Sequence, residues 1–334
     1  MRLSDDKRDL ALVQPCAKAQ FLLLLLLLIL ISVSSEAPGK RIKSRIRIMS
    51  RKILSLTFGL FVAVAPIKAE PAMWVIKDAD STIYLIGTMH LLKHDTEWNA
   101  EKVKKTVHES TELWLEIAEF DDQSALVGLV SKLGMDAEHP LSSKLNDQQK
   151  QKLAKIAGAF HMPRATLEPM RPWMAAILLA EMQFLKAGYD PKAGVERTLK
   201  AQAVAEGDKI HGFETAEEQL RLLADMPEAD QVAFLSTMLD DLEKGMELVE
   251  ELARAWIDGD TDTIARLADD EIKREAPRVY QKLIVQRNIA WSEKIAAMLK
   301  GPGVQQIAVG AAHLAGPDSV QAQLAKRGIK VERY

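Results

Sequence analysis

Two short stretches near opposite ends of the chain constrain its fold more than any other feature. The first is Ile83-Tyr84-Leu85-Ile86-Gly87-Thr88-Met89-His90 and the second is Ile307-Ala308-Val309-Gly310-Ala311-Ala312-His313. Each is an aliphatic, partly β-branched run ending in Gly-x-x-His. Apolar runs this short read as buried strands. Glycine at the end lets the backbone turn or approach a neighbour closely. The histidine then stands just past the strand, where ligands collect in open α/β sheets. One copy of so short a pattern means little, but two copies in the same context point to a shared site.

Further strands are expected at Met73–Lys77, Glu112–Ile117, Lys209–Phe213 and Ile329–Arg333, with Asp78-Ala79-Asp80 as a hairpin turn before the first motif. Lys93–Thr96 reads as loop and Trp98–Ser110 as a charged helix. Helices are also expected at Met174–Leu185, at Val195–Ala205, after a capping box at Thr215-Ala216-Glu217-Glu218, from Pro277 to Leu299, and from Pro317 to Lys326. Phe234, Leu235, Met238, Leu239, Leu242, Met246, Val249 and Leu252 recur at helical spacing and mark a core-facing stripe. Asp258-Gly259-Asp260 lacks the later ligands of a calcium loop and reads as a helix stop followed by an N-cap. Strands separated by long helical segments predict an α/β fold: a central mixed, partly parallel sheet, with helical insertions near 121–190 and 228–299 capping its rim, in one domain over residues 70–334.

Residues 1–69 read differently. Phe21 to Val33 is apolar except for Ser32 and short for a membrane span of ~20 residues. Met49-Ser50-Arg51-Lys52 then opens a second unit, a basic start, the apolar run Ile53 to Ala65 and the small residue Ala69, which has the parts of a secretory signal. The expectation is export to the periplasm or outside, with cleavage near Ala69 and residues 1–48 an upstream extension; the alternative is a membrane anchor at Phe21–Val33. Residues 1–69 hold 12 Lys and Arg against 4 Asp and Glu, so the remaining 32 basic and 43 acidic residues carry a net charge of −11. Such a body repels nucleic acid. The sole cysteine, Cys16, lies in this leader, so disulfide and thiol chemistry are not expected of the body.

Four polar residues share one predicted position, at or just past a strand end: His90, Glu116, Glu214 and His313. On parallel neighbouring strands they converge on one rim. Two imidazoles with one or two carboxylates suit Zn²⁺, Mn²⁺, Co²⁺ or Fe²⁺, and a remaining carboxylate can act as general base. Arg287 and Asn288 lie on the otherwise apolar face of the last long helix, where a guanidinium must find a carboxylate or an anion. Glu196 is one possible partner for it. The start of the helix at Gly316-Pro317-Asp318 offers amides for an anionic group. His94, His108, His139, His161 and His211 read as loop, surface or structural histidines.

These residues resemble the TraB/GumN family. Its paired signatures match Ile86-Gly87-Thr88-Met89-His90-Leu91-Leu92 and Val309-Gly310-Ala311-Ala312-His313-Leu314. Its intervening blocks are similar to Leu115-Glu116, Gly194-Val195-Glu196, Gly212-Phe213-Glu214-Thr215, Trp256-Ile257-Asp258-Gly259-Asp260 and Arg287-Asn288, in the same order. The family is grouped with the Tiki metal-dependent proteases and, more distantly, with erythromycin-esterase-like proteins. The resemblance implies a compact α/β fold, with the two motif histidines at His90 and His313 and the strand-end glutamate at Glu116.

The expected function is an exported metal-dependent hydrolase cutting a peptide or small acyl substrate. His90, Glu116 and His313 would hold Mn, Co or Zn, Glu214 or Glu196 would serve as base, and Arg287 would orient a carboxylate or anionic group. Two alternatives are a non-catalytic protein that binds or sequesters a peptide or signal molecule in the same cleft, and a metal-independent hydrolase with His90 as base, supported by Glu116 or Glu214.

Overall fold

The structure is a computed structural model that describes residues 70–120, 122–244, 247–270, 273–274 and 277–334. The leader readings, and Met246 of the apolar stripe, lie outside them. Among the described residues no helix is long and apolar enough to cross a membrane.

The described residues form eight strands: β1 Met73–Lys77, β2 Ser81–Thr88, β3 Leu92–Lys93, β4 Glu112–Ile117, β5 Tyr189–Asp190, β6 Lys209–Glu214, β7 Gly303–Gly310 and β8 Glu332–Arg333. Six form the main sheet in the order β6-β4-β7-β2-β1-β8. β6, β4, β7 and β2 run parallel, while β1 is antiparallel to both of its neighbours. The fold is therefore α/β with a mixed, mostly parallel sheet, as the alternation of strands and long helical segments leads one to expect. The β1–β2 turn is closed locally: Asp78 Oδ1 accepts from the Ser81 amide at 2.8 Å and from its hydroxyl at 2.7 Å.

Period-two alternation sends successive strand residues to opposite faces, and two separate apolar clusters result. Ile86, Leu113, Leu115, Ile117 and Ala308 join the larger cluster, which takes in the helices of the insertions. Ile83, Leu85, Phe213, Ile307 and Val309 join the smaller one, covered by Trp291 and Ile295 of the Gln286–Met298 helix and by Val320 and Leu324 of the Val320–Lys326 helix. Glu116 lies between Leu115 and Ile117, so it faces the second cluster and the helix that carries Arg287. The described members of the apolar stripe from Phe234 to Leu252 are buried. At Gly259 the chain adopts φ 66°, and Asp260 caps the next helix by accepting from the Thr263 amide at 3.0 Å.

The final strand is shorter than the expected Ile329–Arg333, since only Glu332–Arg333 pairs with β1, and the structure departs from expectation in three further places. Lys93 is not in a loop: β3 pairs with β5 across nearly a hundred residues, a tertiary partner that local composition does not announce. The last long helix is not uniform. It runs as an α-turn Pro277–Tyr280, a π-helical turn Gln281–Val285 in which the Gln286 amide reaches the Gln281 carbonyl, and the α-helix Gln286–Met298. Apolar spacing cannot distinguish a helix from one with a single widened turn. Finally, the terminal helix begins at Val320, not Pro317, with Ser319 accepting from the Ala322 amide as its cap. Gly316-Pro317-Asp318 is a turn, and the expected anion cradle there is not formed.

Candidate functional site

The four parallel strands are adjacent, so their C-terminal ends share one rim. His90 follows β2, His313 follows β7, Glu116 is the buried penultimate residue of β4, and Glu214 ends β6. The two Gly-x-x-His turns touch. A Cβ on Gly87 would stand 3.0 Å from Ala311 Cα, so the first glycine is what lets the second turn come close. The second glycine serves differently: the Gly310 amide donates to Glu116 Oε1 at 2.7 Å. His313 is then carried on the short 3₁₀ turn Ala311–Leu314.

Each histidine is anchored through Nδ1. His90 Nδ1 lies 2.6 Å from Glu196 Oε1 and faces a carboxylate oxygen, so Nδ1 carries the proton. Several contacts bring Glu196 there. β3 pairs with β5, the Val195 amide donates to the Met89 carbonyl at 3.1 Å, and Gly194 has no room for a Cβ against the His90 carbonyl. Glu196 stands in the first turn of the Val195–Glu206 helix.

His313 Nδ1 lies 2.6 Å from Asn288 Oδ1. The amide's orientation is settled by its other end, since Asn288 Nδ2 donates to the Asp318 carbonyl at 2.9 Å. The oxygen facing the ring can only accept, so here too Nδ1 carries the proton and Nε2 presents a lone pair. The partner of that lone pair agrees: Arg287 Nη1, a group that only donates, is 3.0 Å away.

Arg287 is the hub of this half of the site. Its Nη2 donates to Glu116 Oε2 at 2.6 Å, its Nε to both Glu214 oxygens at 2.8 and 3.1 Å, and its Nη1 also to the Leu283 carbonyl at 3.2 Å. The Trp291 indole donates to Glu214 Oε1 at 3.0 Å, and the guanidinium carbon sits 4.6 Å from the centre of that ring. Burial alone would push the Glu116 carboxyl up, but the Arg287 charge, aided by the Gly310 amide, holds it at about 2. Burial, and then Arg287, hold the His313 imidazole down at about 3, so it is neutral at physiological pH. Burial would lower Arg287, but Glu116 and Glu214 keep it firmly charged.

Arg287 does find carboxylates, but these are Glu116 and Glu214, while Glu196 belongs to His90. Glu214, expected as a possible base, is committed to Arg287 and Trp291, and Arg287 spends its donors on protein acceptors. His94 is exposed and lies 2.6 Å from Asp190. His211 is partly buried, stacked on Trp114 at 4.5 Å.

Sequence reasoning missed Gln219. It is fully buried, and its Nε2 donates to Glu116 Oε2 at 3.0 Å while its own Oε1 has no partner among the described residues. A signal existed: Ala216, Gln219, Leu220 and Leu223 form the buried stripe of their helix, so a polar residue occupied an apolar position. Asp269 was also missed. It is buried beside Gly316, neither carboxylate oxygen has a partner among the described residues, and burial pushes its carboxyl well up.

By donor type, His90, Glu116 and His313 suit a borderline divalent ion. His313 is neutral, Glu116 is ionised, and each ring is oriented by an outer acceptor on Nδ1, as ligating histidines usually are. Their present arrangement is nevertheless centred on the guanidinium. Among the described residues no group of three His, Cys, Asp or Glu side chains is gathered closely enough to hold a metal. An ion at these donors would have to share them with Arg287.

A parallel-rimmed α/β sheet with two Gly-x-x-His turns and a buried Glu–Arg–His network defines a class of site rather than an activity. The chain belongs to the TraB/PrgY/gumN family, whose model matches residues 72–333. It is 23% identical over 254 residues to the uncharacterized protein YbaP of Escherichia coli K12, covering 76% of this chain and 92% of that protein. It is 19% identical over 271 residues to an uncharacterized protein of Treponema pallidum, covering 77% of this chain and 81% of that one. No solved structure matches it.

Proposed function

We propose that the chain is an exported hydrolase of peptide or other acyl bonds, with His90, Glu116 and His313 as the holders of a divalent transition ion, Mn, Co or Zn. The observation that carries this reading is the matched anchoring of the two imidazoles. Glu196 Oε1 and Asn288 Oδ1 each accept from Nδ1 at 2.6 Å, which leaves Nε2 as the nitrogen of each ring that would serve a reacting centre. When bound, such an ion polarises a carbonyl and makes a bound water acidic. The chain's own contributions are distinct. Glu196 and Asn288 fix the tautomer and direction of the rings. Glu116 supplies a carboxylate that Arg287 and the Gly310 amide keep ionised. Glu214 holds Arg287 rather than abstracting a proton.

The test is metal analysis of protein purified without chelators, followed by assay against peptide and ester panels with added Mn²⁺, Co²⁺ or Zn²⁺. Stoichiometric metal, with turnover lost on chelation and in His90→Ala, is expected. Ligand capture without any turnover would instead leave a peptide- or signal-binding protein.

One observation favours a second reading. The short His90–Glu196 contact is the orienting pair of a histidine base. In that version His90 Nε2 activates water without a metal, and turnover survives chelators but not His90→Ala or Glu196→Ala.

A further inference from the structure

We propose that Arg287 is an internal cation that stands in for the metal at Glu116 and His313, so that guanidinium and ion compete for the same two side chains. This rests on the metal reading of the site given above.

The geometry is specific. Arg287 Nη2 lies 2.6 Å from Glu116 Oε2 and Nη1 lies 3.0 Å from His313 Nε2. These are two of the three proposed ligands, and the nitrogen engaged on His313 is the one its tautomer leaves as a lone pair. A lone pair can accept an N–H or bind an ion, but not both. Like charges at such separations also repel strongly away from bulk water.

The arginine has somewhere else to remain. Its Nε bonds to both Glu214 oxygens, and its plane lies over Trp291, neither of which is a proposed ligand. Glu214 and Trp291 therefore hold the guanidinium beside the site while its two Nη groups let go. Glu116 in turn keeps the Gly310 amide and Gln219 Nε2 as partners. The arrangement explains how a fully buried carboxylate persists in the metal-free chain: its counter-charge is part of the fold. It also predicts that chelation empties the site without unfolding the protein, unlike sites where metal binding drives folding.

The experiment is Co²⁺ titration of chelator-treated full-length protein, read by calorimetry and by the visible spectrum of bound cobalt, for the wild type, Arg287→Gln and Arg287→Lys. Glutamine can still donate to Glu116 but carries no charge, whereas lysine keeps the charge. Arg287→Gln should bind Co²⁺ at least about tenfold more tightly than wild type, and Arg287→Lys should stay within about threefold of it. Wild-type binding with a folded Arg287→Gln no tighter would overturn the competition and leave the metal reading standing. No cobalt binding in any of the three would overturn both.

If Arg287→Gln does not fold, the wild type alone decides. With ¹⁵N-labelled arginine, Co²⁺ should speed solvent exchange of the Arg287 Nη protons while the Nε proton stays protected by Glu214. Nη exchange unchanged at saturating Co²⁺ would overturn the proposal.

Discussion

The two Gly-x-x-His turns share a sequence pattern and a place on the rim, yet their rings live in opposite electrical surroundings. His90 follows β2 and donates its Nδ1–H to a carboxylate, Glu196. His313 follows β7 and donates its Nδ1–H to a neutral amide oxygen, that of Asn288, while a guanidinium sits on its other nitrogen. The first ring is paired with a negative charge and the second is pressed by a positive one. The motif thus decides where a ring stands, and the long-range partner decides what the ring can do. A repeated motif is not a repeated function.

The largest expected effect comes from breaking the second surroundings. Arg287→Met leaves Glu116 and Glu214 without their counter-charge, and removing one partner of a buried pair costs about 3–5 kcal/mol. Urea unfolding of the chelator-treated protein measures this; a cost below about 1 kcal/mol, the scale of surface pairs, would show that the network is not the anchor it looks to be.

The acid limb of stability follows. His313 has its folded pKa at about 3, below the value of 6.5 it has without the fold, so the unfolded chain takes up the proton first. The contribution is complete above 6.5 and is lost as pH falls towards 3. Glu116, lowered from 4.5 to about 2, adds a second loss between those values. Thermal unfolding of metal-free protein should therefore weaken steadily below about pH 6, and ¹⁵N imidazole shifts should show His313 still neutral at about pH 5.

The two outer partners can be compared directly. Asn288→Ala leaves the buried His313 Nδ1–H unpaired and the Asp318 carbonyl with only Gln323 Nε2 at 3.3 Å, at a cost of about 1–3 kcal/mol in stability. Glu196→Gln keeps a polar partner for His90 but removes its charge, and substitutions of this kind typically cost about 10–100-fold in metal affinity or activity. Equal effects of the two changes on both stability and activity would erase the contrast between the turns. The smallest effect belongs to Asp269, beside the second turn. Its folded pKa is raised, so its cost to stability grows as pH rises above the ordinary value of 3.8. Asp269→Asn should stabilise the protein at pH 8 and make no difference at about pH 4, as read by melting temperature.

Much of this was legible in the chain. The strands of the main sheet, the hairpin turn, the capping box at Thr215 and the buried stripe from Phe234 to Leu252 all follow from short-range patterning. The site residues stood out because each broke a local rule: Glu116 inside an apolar strand, Arg287 on an apolar helix face, a histidine after each strand-ending glycine. Gln219 broke the same rule less loudly, because a neutral amide on an apolar stripe looks ordinary in a sequence.

Pairing was not legible. Nothing near Glu196 says that it belongs to His90 rather than to Arg287, since those partners are 106 residues apart in sequence. Nor does the Arg287 stretch show that its guanidinium reaches back 171 residues to Glu116. Local patterning marks which residues cannot be ordinary surface or core, because periodicity and burial are short-range constraints written into neighbouring letters. Which of them meet depends on how the strands assemble. The strand order β6-β4-β7-β2 sets the spacing of the rim, and in a buried setting each charge must take whichever partner that spacing brings within hydrogen-bond reach.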